Sequence, residues 1–371
     1  MNEILFVGLD VDDNAFHGCA LIASLGEIIE FKSRPHVDGL AKKLCELQSR
    51  FPTHTIKLCY EATYIGFSLQ RALAKHGFNC DVIAPSSIPR AFGNQVKTDR
   101  VDAAKLAEYY SKGMLAIVAS PEEETERDRD VLRSREFMIR ELSQLRTHIH
   151  SLLRRAGRQF KAETGSKAHW TKHHLCWIER VIEESTGSLK INLELLYGQM
   201  KSMKHTMSEY DKAVDELAAT ERYTRQVQAL TCYRGVKNIF AMVMITEIGD
   251  IKRFPHPRKL TSWAGLDIRE YSSGGVHRRF GITRHGNRYL RTALVEANQR
   301  TYRTNACGKD VRLRRQKLPG DLVEIAERCQ KRVSKKGGRM LQAGKHPNKV
   351  KVACAREMLG FVWESLNRVA A

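Results

Sequence analysis

The first 120 residues alternate strand-like and helix-like patterns, and that order constrains the possible fold more than any other feature. Residues 4–9 are apolar and suit a buried strand, and residues 16–23 and 28–32 follow at the spacing of hairpin strands. Helical and strand patterns then alternate over residues 39–50, 56–60, 66–76 and 80–83. Three successive strands followed by βαβ units predict an α/β domain with a ribonuclease-H-like sheet.

Two stretches between residues 121 and 222 carry apolar residues at alternating steps of three and four. They are Val131, Met138, Leu142, Leu145, Ile149 and Leu152, and then Leu193, Leu196, Met200, Met203, Met207, Tyr210, Val214 and Leu217. Sustained heptads predict two long amphipathic helices, which form a coiled-coil hairpin or the seam of a dimer. A local helical bundle explains the same pattern, so both interpretations stay open.

The charge of the chain favours a polyanionic partner. With 62 Lys and Arg against 42 Asp and Glu, the formal net charge is +20. Nucleic acid is the commonest partner of so basic a chain, although a generally basic surface is the alternative. The region from 223 to 371 is helical, basic and rich in glycine. We predict nucleic-acid contacts there, from Arg278, Arg279, Arg284, Arg288, Arg291, Arg300, Arg303, Arg312, Arg314, Arg315, Lys317, Lys331, Arg332, Lys335, Lys336 and Arg339.

Cysteine spacing argues against a zinc ribbon and against a secreted disulfide framework. The nine cysteines are scattered singly, without any Cys-x-x-Cys pair. His173, His174 and Cys176 lie close together in sequence, and we interpret them as a polar helix end rather than a metal site. No signal peptide and no apolar stretch of about 18 residues is evident. We therefore expect a cytoplasmic protein without a membrane partner.

Four acids stand where an α/β sheet would gather them. Asp10 closes the first strand, Glu61 follows the strand 56–60, and Asp99 and Asp102 share one face where a helix begins. Acids at strand ends converge on the carboxyl edge of an open sheet, and Mg²⁺ prefers such oxygen ligands. Two metals there could act on a phosphodiester. Each acid also has a structural explanation: an N-cap, a first-turn acid, a lysine partner or a turn residue.

The motifs around these acids occur in a recognisable order. They read Gly8-Leu9-Asp10-Val11, then Tyr60-Glu61-Ala62-Thr63, then Lys97-Thr98-Asp99-Arg100-Val101-Asp102-Ala103. The distal chain adds Arg234-Gly235-Val236, Glu247-Ile248-Gly249-Asp250-Ile251, Arg253-Phe254, Leu260, Ala264-Gly265-Leu266, Ser272-Ser273-Gly274-Gly275, Gly281-Ile282-Thr283 and Gly286-Asn287 followed by Leu290-Arg291. Across nearly the whole chain this order resembles the DEDD-motif transposases of the insertion-sequence family numbered one hundred and ten.

The resemblance implies a RuvC-like catalytic domain over residues 1–120, a coiled-coil insertion over 121–222 and a helical transposase domain over 223–371. Asp10, Glu61, Asp99 and Asp102 take the four acidic positions, which bind Mg²⁺. The essential serine of the family falls on Ser273, with Ser272 adjacent. Such enzymes recombine donor and target DNA as homo-oligomers, dimers or tetramers, and are guided by a structured RNA from the element. A nucleoid-associated location follows. Arg284 departs from a frequent lysine, and Asp267-Ile268 from a commoner Val-Pro.

Three other function classes compete with this interpretation. A RuvC-like, metal-dependent junction-resolving nuclease would use water and would not need Ser273. An actin-like sugar or acetate kinase also opens with a Gly-x-Asp strand, but it requires later glycine-rich phosphate loops that the sequence lacks. An architectural nucleic-acid binder would explain the charge and leave the ordered acids without a purpose.

Overall fold

The computed structural model describes residues 3–23, 25–89, 99–273 and 275–370, and the side chains of all of these except Asp99, Arg100 and Ser273. The chain forms two compact units, Met1–Pro121 and Glu122–Ala371. Each is described by itself below.

The described residues of the first unit form a six-stranded mixed sheet with helices. Its elements are β1 (Glu3–Val11), β2 (Phe16–Ile22), β3 (Glu27–Ser33), α1 (Val37–Arg50), β4 (His54–Glu61), α2 (Ser68–Lys75), β5 (Cys80–Ile83), α3 (Asp99–Ser111) and β6 (Ile117–Val118). The strand order is β3-β2-β1-β4-β5-β6. β1, β4 and β5 run parallel, and the other neighbours are antiparallel. The predicted mixed α/β class of this region is confirmed.

The two faces of this sheet are covered by different helices. Alternate residues of β1, among them Leu5 and Leu9, share a core with Leu44 of α1 and Leu73 of α2. The opposite face packs against α3, in which Ala103, Leu106 and Ala107 are buried. The sheet is therefore covered by helices on both faces. This explains why the sequence of β1 is a continuous apolar run and not an alternation of apolar and polar residues.

Gly8 allows α3 to lie directly on β1. A Cβ at this position would stand 2.3 Å from the carbonyl oxygen of Ala103 and 2.5 Å from the backbone nitrogen of Ala107. Two residues earlier on the same face, the ring of Phe6 meets Tyr110 edge-on, with centroids 5.7 Å apart. Since earlier residues of β1 meet later residues of α3, the helix runs antiparallel to the strand. Its amino terminus therefore points to the carboxyl end of β1.

The second unit is helical apart from one hairpin in its described residues. Its elements are α4 (Glu123–Arg155), α5 (Phe160–Thr164), α6 (Lys172–Glu184), α7 (Gly187–Ala219), α8 (Glu221–Thr231), α9 (Asn238–Ile248), α10 (Pro257–Trp263), β7 (Ile268–Ser273), β8 (Val276–Ile282), α11 (Arg288–Ala297), α12 (Lys309–Arg315), α13 (Gly320–Gln342) and α14 (Pro347–Ala370). The predicted helical carboxyl-terminal part is confirmed. Within the described ranges, no helix is both long and apolar enough to cross a membrane.

The two long helices α4 and α7 pack antiparallel within one chain, and we call residues 123–219 the arm. At one end Leu132 clusters with Val214, and at the other Ile149 clusters with Leu193. Met200 is 1% exposed, because the apolar positions of α7 face α4 of the same chain. The heptads are thus satisfied inside the chain, and a coiled-coil seam between chains stays a prediction.

The base of the arm shares its core with the rest of the second unit. Leu132 and Val214 belong to the same buried cluster as Leu230 of α8, Leu294 of α11 and Leu359 of α14. Residues on both sides of the predicted domain boundary, between 222 and 223, therefore share one hydrophobic core.

The tip of the arm holds a buried histidine that the sequence analysis interpreted as part of a polar helix end. His173 and Cys176 are exposed, whereas His174 is completely buried. The interpretation is therefore wrong for His174, whose ring packs against Phe160 with centroids 4.6 Å apart. Burial, together with the neighbouring histidines, lowers the pKa of His174 to about 4, so the ring is neutral at pH 7.

Candidate active site

Asp10 and Glu61 lie side by side at the carboxyl edge of two parallel strands. β1 and β4 pair in a register that ends at Leu9 opposite Tyr60, and the two acids are the next residues. Neighbouring strands are about 4.8 Å apart. Leu9 and Tyr60 point into the core beneath α1 and α2. Because side chains alternate along a strand, Asp10 and Glu61 face the side that α3 covers, and both are half-buried.

The amino-terminal turn of α3 adds Asp102 to this edge. Asp102 is half-buried and stands one turn before Leu106, which packs on Cys59 of β4. Lys105 lies 3.8 Å from its carboxylate, as a neighbour within the helix. Asp99 is the first residue of α3, and its side chain lies outside the described part of the chain. The structure thus brings Asp10, Glu61 and Asp102 to one edge and one face of the sheet.

Two groups beside these acids were missed by the sequence analysis. His17 of β2 is the register partner of Asp10, so both side chains point to the same face. Tyr64 donates a hydrogen bond of 2.7 Å to the carboxylate of Asp13, which joins the turn after β1 to the segment after β4. That hydrogen bond raises the pKa of Tyr64 to about 12. Both arrangements bring together residues from separate segments, and no local motif signals either one.

The predicted serine lies at the end of β7, in an exposed hairpin of the second unit. Ser273 pairs with Val276, and its side chain lies outside the described part of the chain. Ser272 pairs with His277, and its hydroxyl stands 2.8 Å from Nδ1 of that ring. Glu270 shares this face and contacts both His277, at 3.8 Å, and Arg279, at 3.4 Å. Ser272 therefore has a partner within the hairpin.

Motif residues of the second unit anchor the hairpin to the arm. The carboxylate of Glu247 is buried and accepts two hydrogen bonds from Arg133, of 2.8 and 2.9 Å. Asn287 donates to the same carboxylate at 2.6 Å, and its Oδ1 accepts from the backbone of Leu290 to cap α11. Gly286 has a φ of +115°, and a Cβ there would stand 2.0 Å from the carbonyl oxygen of Trp263.

The basic residues predicted to meet nucleic acid differ in their exposure and in their partners within the chain. Arg278, Arg279, Arg284 and Arg288 are exposed on or beside the hairpin, along with Tyr271 and Phe280. In contrast, Arg315 is buried and donates to the carbonyl of Cys232 and to Gln330, both at 3.1 Å. Arg291, Arg314 and Lys336 are half-buried and also bond to groups of the same chain, and Arg332, although exposed, pairs with Glu357. For these five the structure shows an internal partner.

A cleft of the second unit lies near that anchor, among α4, α9, α11 and α12. Its volume is about 1250 Å³. Apolar side chains such as Ile139 and Phe240 line it together with the cations Arg135, Lys237 and Lys309.

Two family models match the chain. Residues 7–157 match a transposase model named for the DEDD motif and IS110, and residues 227–311 match one described as the transposase IS116/IS110/IS902 family. A putative transposase of Sinorhizobium fredii, y4qE, is 31% identical over 364 residues, which cover 96% of this chain and 87% of the relative. The chain belongs to the IS110 family of transposases.

Other transposases agree with this assignment. The transposase for insertion sequence element IS1533 of Leptospira borgpetersenii is 29% identical over 350 residues, covering 91% of this chain and 96% of the relative. The transposase for IS1111A of Coxiella burnetii is 24% identical over 298 residues, covering 80% and 77%. In this transposase the first matched range contains the sheet edge with its acids, and the second contains the hairpin. Residues 158–226, in the arm and α8, lie outside both.

Proposed function

We propose that this transposase cuts and rejoins DNA at the carboxylates Asp10, Glu61, Asp99 and Asp102, with Ser273 as the nucleophile. The observation that carries the proposal is the register of β1 and β4, which sets Asp10 and Glu61 side by side on the face that α3 covers. A RuvC-like fold is supported by the strand order, in which an antiparallel β1-β2-β3 meander continues into parallel β4 and β5.

The donor set at this edge fits Mg²⁺. Asp10, Glu61 and Asp102 offer hard carboxylate oxygens on half-buried side chains, which is the chemistry that Mg²⁺ selects. When bound, Mg²⁺ supplies stabilisation of charge on the phosphate and lowers the pKa of an attacking hydroxyl. The residues of the chain do the positioning: Gly8 lets α3 pack on β1, and the first turn of α3 brings Asp102 to the edge.

The proposed reaction proceeds through a serine ester. The oxygen of Ser273 attacks phosphorus, the bond between phosphorus and one DNA oxygen breaks, and that oxygen takes up the proton that the serine loses. The phosphoserine ester stores the energy of the broken bond, so the reverse attack by a DNA hydroxyl rejoins strands without ATP. The choice of Ser273 over Ser272 rests on the family resemblance, in which the serine directly precedes the pair Gly274-Gly275.

The charge of the chain and its family support the proposed partners. We propose that donor and target DNA and a guide RNA from the element bind the exposed face of the second unit, in homo-oligomers at the nucleoid. Arg278 and Arg279 stand beside Tyr271 and Phe280 on the hairpin, and such pairs of cation and aromatic ring suit phosphate and base contacts. We assign catalysis to residues 1–120, assembly to 121–222 and serine chemistry to 223–371.

A single assay tests this function against the water-using nuclease. End-labelled DNA that carries the ends of the element is incubated with the protein, its co-purified RNA and Mg²⁺, and the products are separated under denaturing conditions. We expect cleavage that stops when Mg²⁺ is chelated, together with a protein–DNA adduct. Cleavage without any adduct would favour the junction-resolving nuclease. Sequencing the co-purified RNA identifies the guide.

A further inference from the structure

Three imidazole rings converge at the tip of the arm. His150 lies on α4, His169 lies between α5 and α6, and His174 lies on α6. Nε2 of His150 stands 2.9 Å from Nδ1 of His169, which stands 3.3 Å from Nε2 of His174. One nitrogen of each ring lies within 4.8 Å of the other two. The three residues come from separate segments, so the sequence gives no local motif for the cluster.

We propose that His150, His169 and His174 bind Zn²⁺, with water as the fourth ligand. Zinc accepts imidazole nitrogen at about 2.0–2.1 Å in tetrahedral geometry, which sets ligand nitrogens about 3.4 Å apart. The separations from Nδ1 of His169 to Nε2 of His150 and of His174, 2.9 and 3.3 Å, are close to that value. Neutral imidazole is the form that coordinates, and borderline metals such as zinc prefer it to the oxygen donors that Mg²⁺ requires. This site is therefore chemically distinct from the carboxylate edge.

The surroundings hold the rings in place. Phe160 packs edge-on against His174. The ring of Trp177 stacks on the His174 ring, with centroids 5.5 Å apart. Arg146 stacks over Trp170 at 5.2 Å. His173 contacts Phe160 but is not among the three converging rings, so it serves as a natural control.

One hydrogen bond changes when the metal binds. The backbone N–H of Trp170 points at Nδ1 of His174, at 3.1 Å, so the neutral ring carries its proton on Nε2. Coordination through Nε2 moves that proton to Nδ1 and gives up the bond to Trp170. A neutral hydrogen bond contributes far less than the binding of a structural zinc ion, so the exchange favours the metal.

A metal ion at this site would cross-link α4 to α6 at the tip of the arm. Because its ligands come from two helices and a connection, binding would oppose separation of these segments. The ion therefore acts on the shape and stability of the arm and takes no part in the chemistry at the carboxylates.

Cobalt provides a test with a spectroscopic readout. Chelator-treated full-length protein is titrated with Co²⁺, whose tetrahedral complexes absorb visible light, and Zn²⁺ is then added to displace it. We expect one visible band in the wild type, in His173→Gln and in Asp10→Asn. His169 is exposed, so His169→Gln should fold normally, as circular dichroism would verify, and yet lose the band.

The affinity gives the quantitative criterion. We expect His169→Gln and His174→Asn to lower Zn²⁺ affinity at least about 100-fold, since removing even an outer partner of a ligand costs about 10- to 100-fold. A wild-type protein without the band would overturn the proposal. Unchanged affinity in His169→Gln would overturn it as well, and would show the rings to be a hydrogen-bonded cluster only.

Discussion

The acids of the first unit acquire their relation to one another from strand pairing. Asp10 and Glu61 are far apart in sequence, but each ends a parallel strand, and the register makes them neighbours. The sequence predicted this edge because strand endings can be recognised locally. It could not predict that His17 would lie opposite Asp10, since that depends on the pairing of β1 with β2.

Removing one carboxylate should stop cleavage and leave DNA binding intact. In Asp10→Asn, Glu61→Gln, Asp99→Asn or Asp102→Asn, a hard ligand is lost while the exposed arginines of the second unit are unchanged. The measurement is Mg²⁺-dependent cleavage alongside a gel-shift titration. Glu27→Gln, at an exposed position of β3, is the matched control and should cleave normally. Full recombination by one of the acid variants would remove that acid from the site.

Gly8, in the first motif, allows the helix α3 to pack closely on β1. The role of Gly8 could not be predicted from the sequence, because its close approach to α3 depends on a helix about ninety residues later in the chain. The same limit applies to Arg315, which a local pattern of arginines places on a surface and the fold buries. Helices and strands were predictable from periodicity, whereas contacts between distant elements were not.

Gly8→Ala should displace α3 from the sheet. Its Cβ would overlap the backbone of Ala103, and overpacking of this kind costs about 1–3 kcal/mol in the free energy of unfolding. We expect cleavage to fall together with stability, measured by denaturant unfolding. Gly39→Ala is the control, since the nearest atoms to a Cβ there are 3.9 Å away. Wild-type stability and cleavage in Gly8→Ala would contradict the close packing.

The hydrogen bonds of Glu247 with Arg133 and Asn287 should hold α9 and α11 against α4. Glu247→Gln leaves the cation of Arg133 without its buried counterion, and losing one partner of such a pair costs about 3 kcal/mol. Glu296→Gln, on the exposed side of α11, should change stability little. Thermal and denaturant unfolding of both variants decides the point, and equal stabilities would count against the network.

At the scale of the whole molecule, the structure changes where an oligomer seam is expected. Met200 is buried against its own chain, so it is unsuited to contact a second one. Ile191 and Leu195 are instead exposed by 60% and 69%, one helical turn apart on α7. We therefore expect Ile191→Glu with Leu195→Glu to give smaller assemblies in light scattering while the helix content is kept.

A substitution in the core of the arm separates assembly from folding. Met200→Glu should lower helix content, because it buries a charge between α4 and α7. If the size of the assembly is unchanged in the Ile191 and Leu195 double variant, the oligomer forms through another surface. If Met200→Glu alone leaves a folded arm and smaller assemblies, the heptads form the seam of a dimer.

Mass spectrometry of the trapped protein–DNA adduct tests the central claim most directly. The protein, with its RNA, DNA and Mg²⁺, is quenched in denaturant and digested, and the residue that carries a nucleotide is identified. We predict a nucleotide on Ser273, no adduct in Ser273→Ala, and an adduct in Ser272→Ala. A nucleotide on Ser272 or elsewhere, or cleavage without any adduct, would contradict the account.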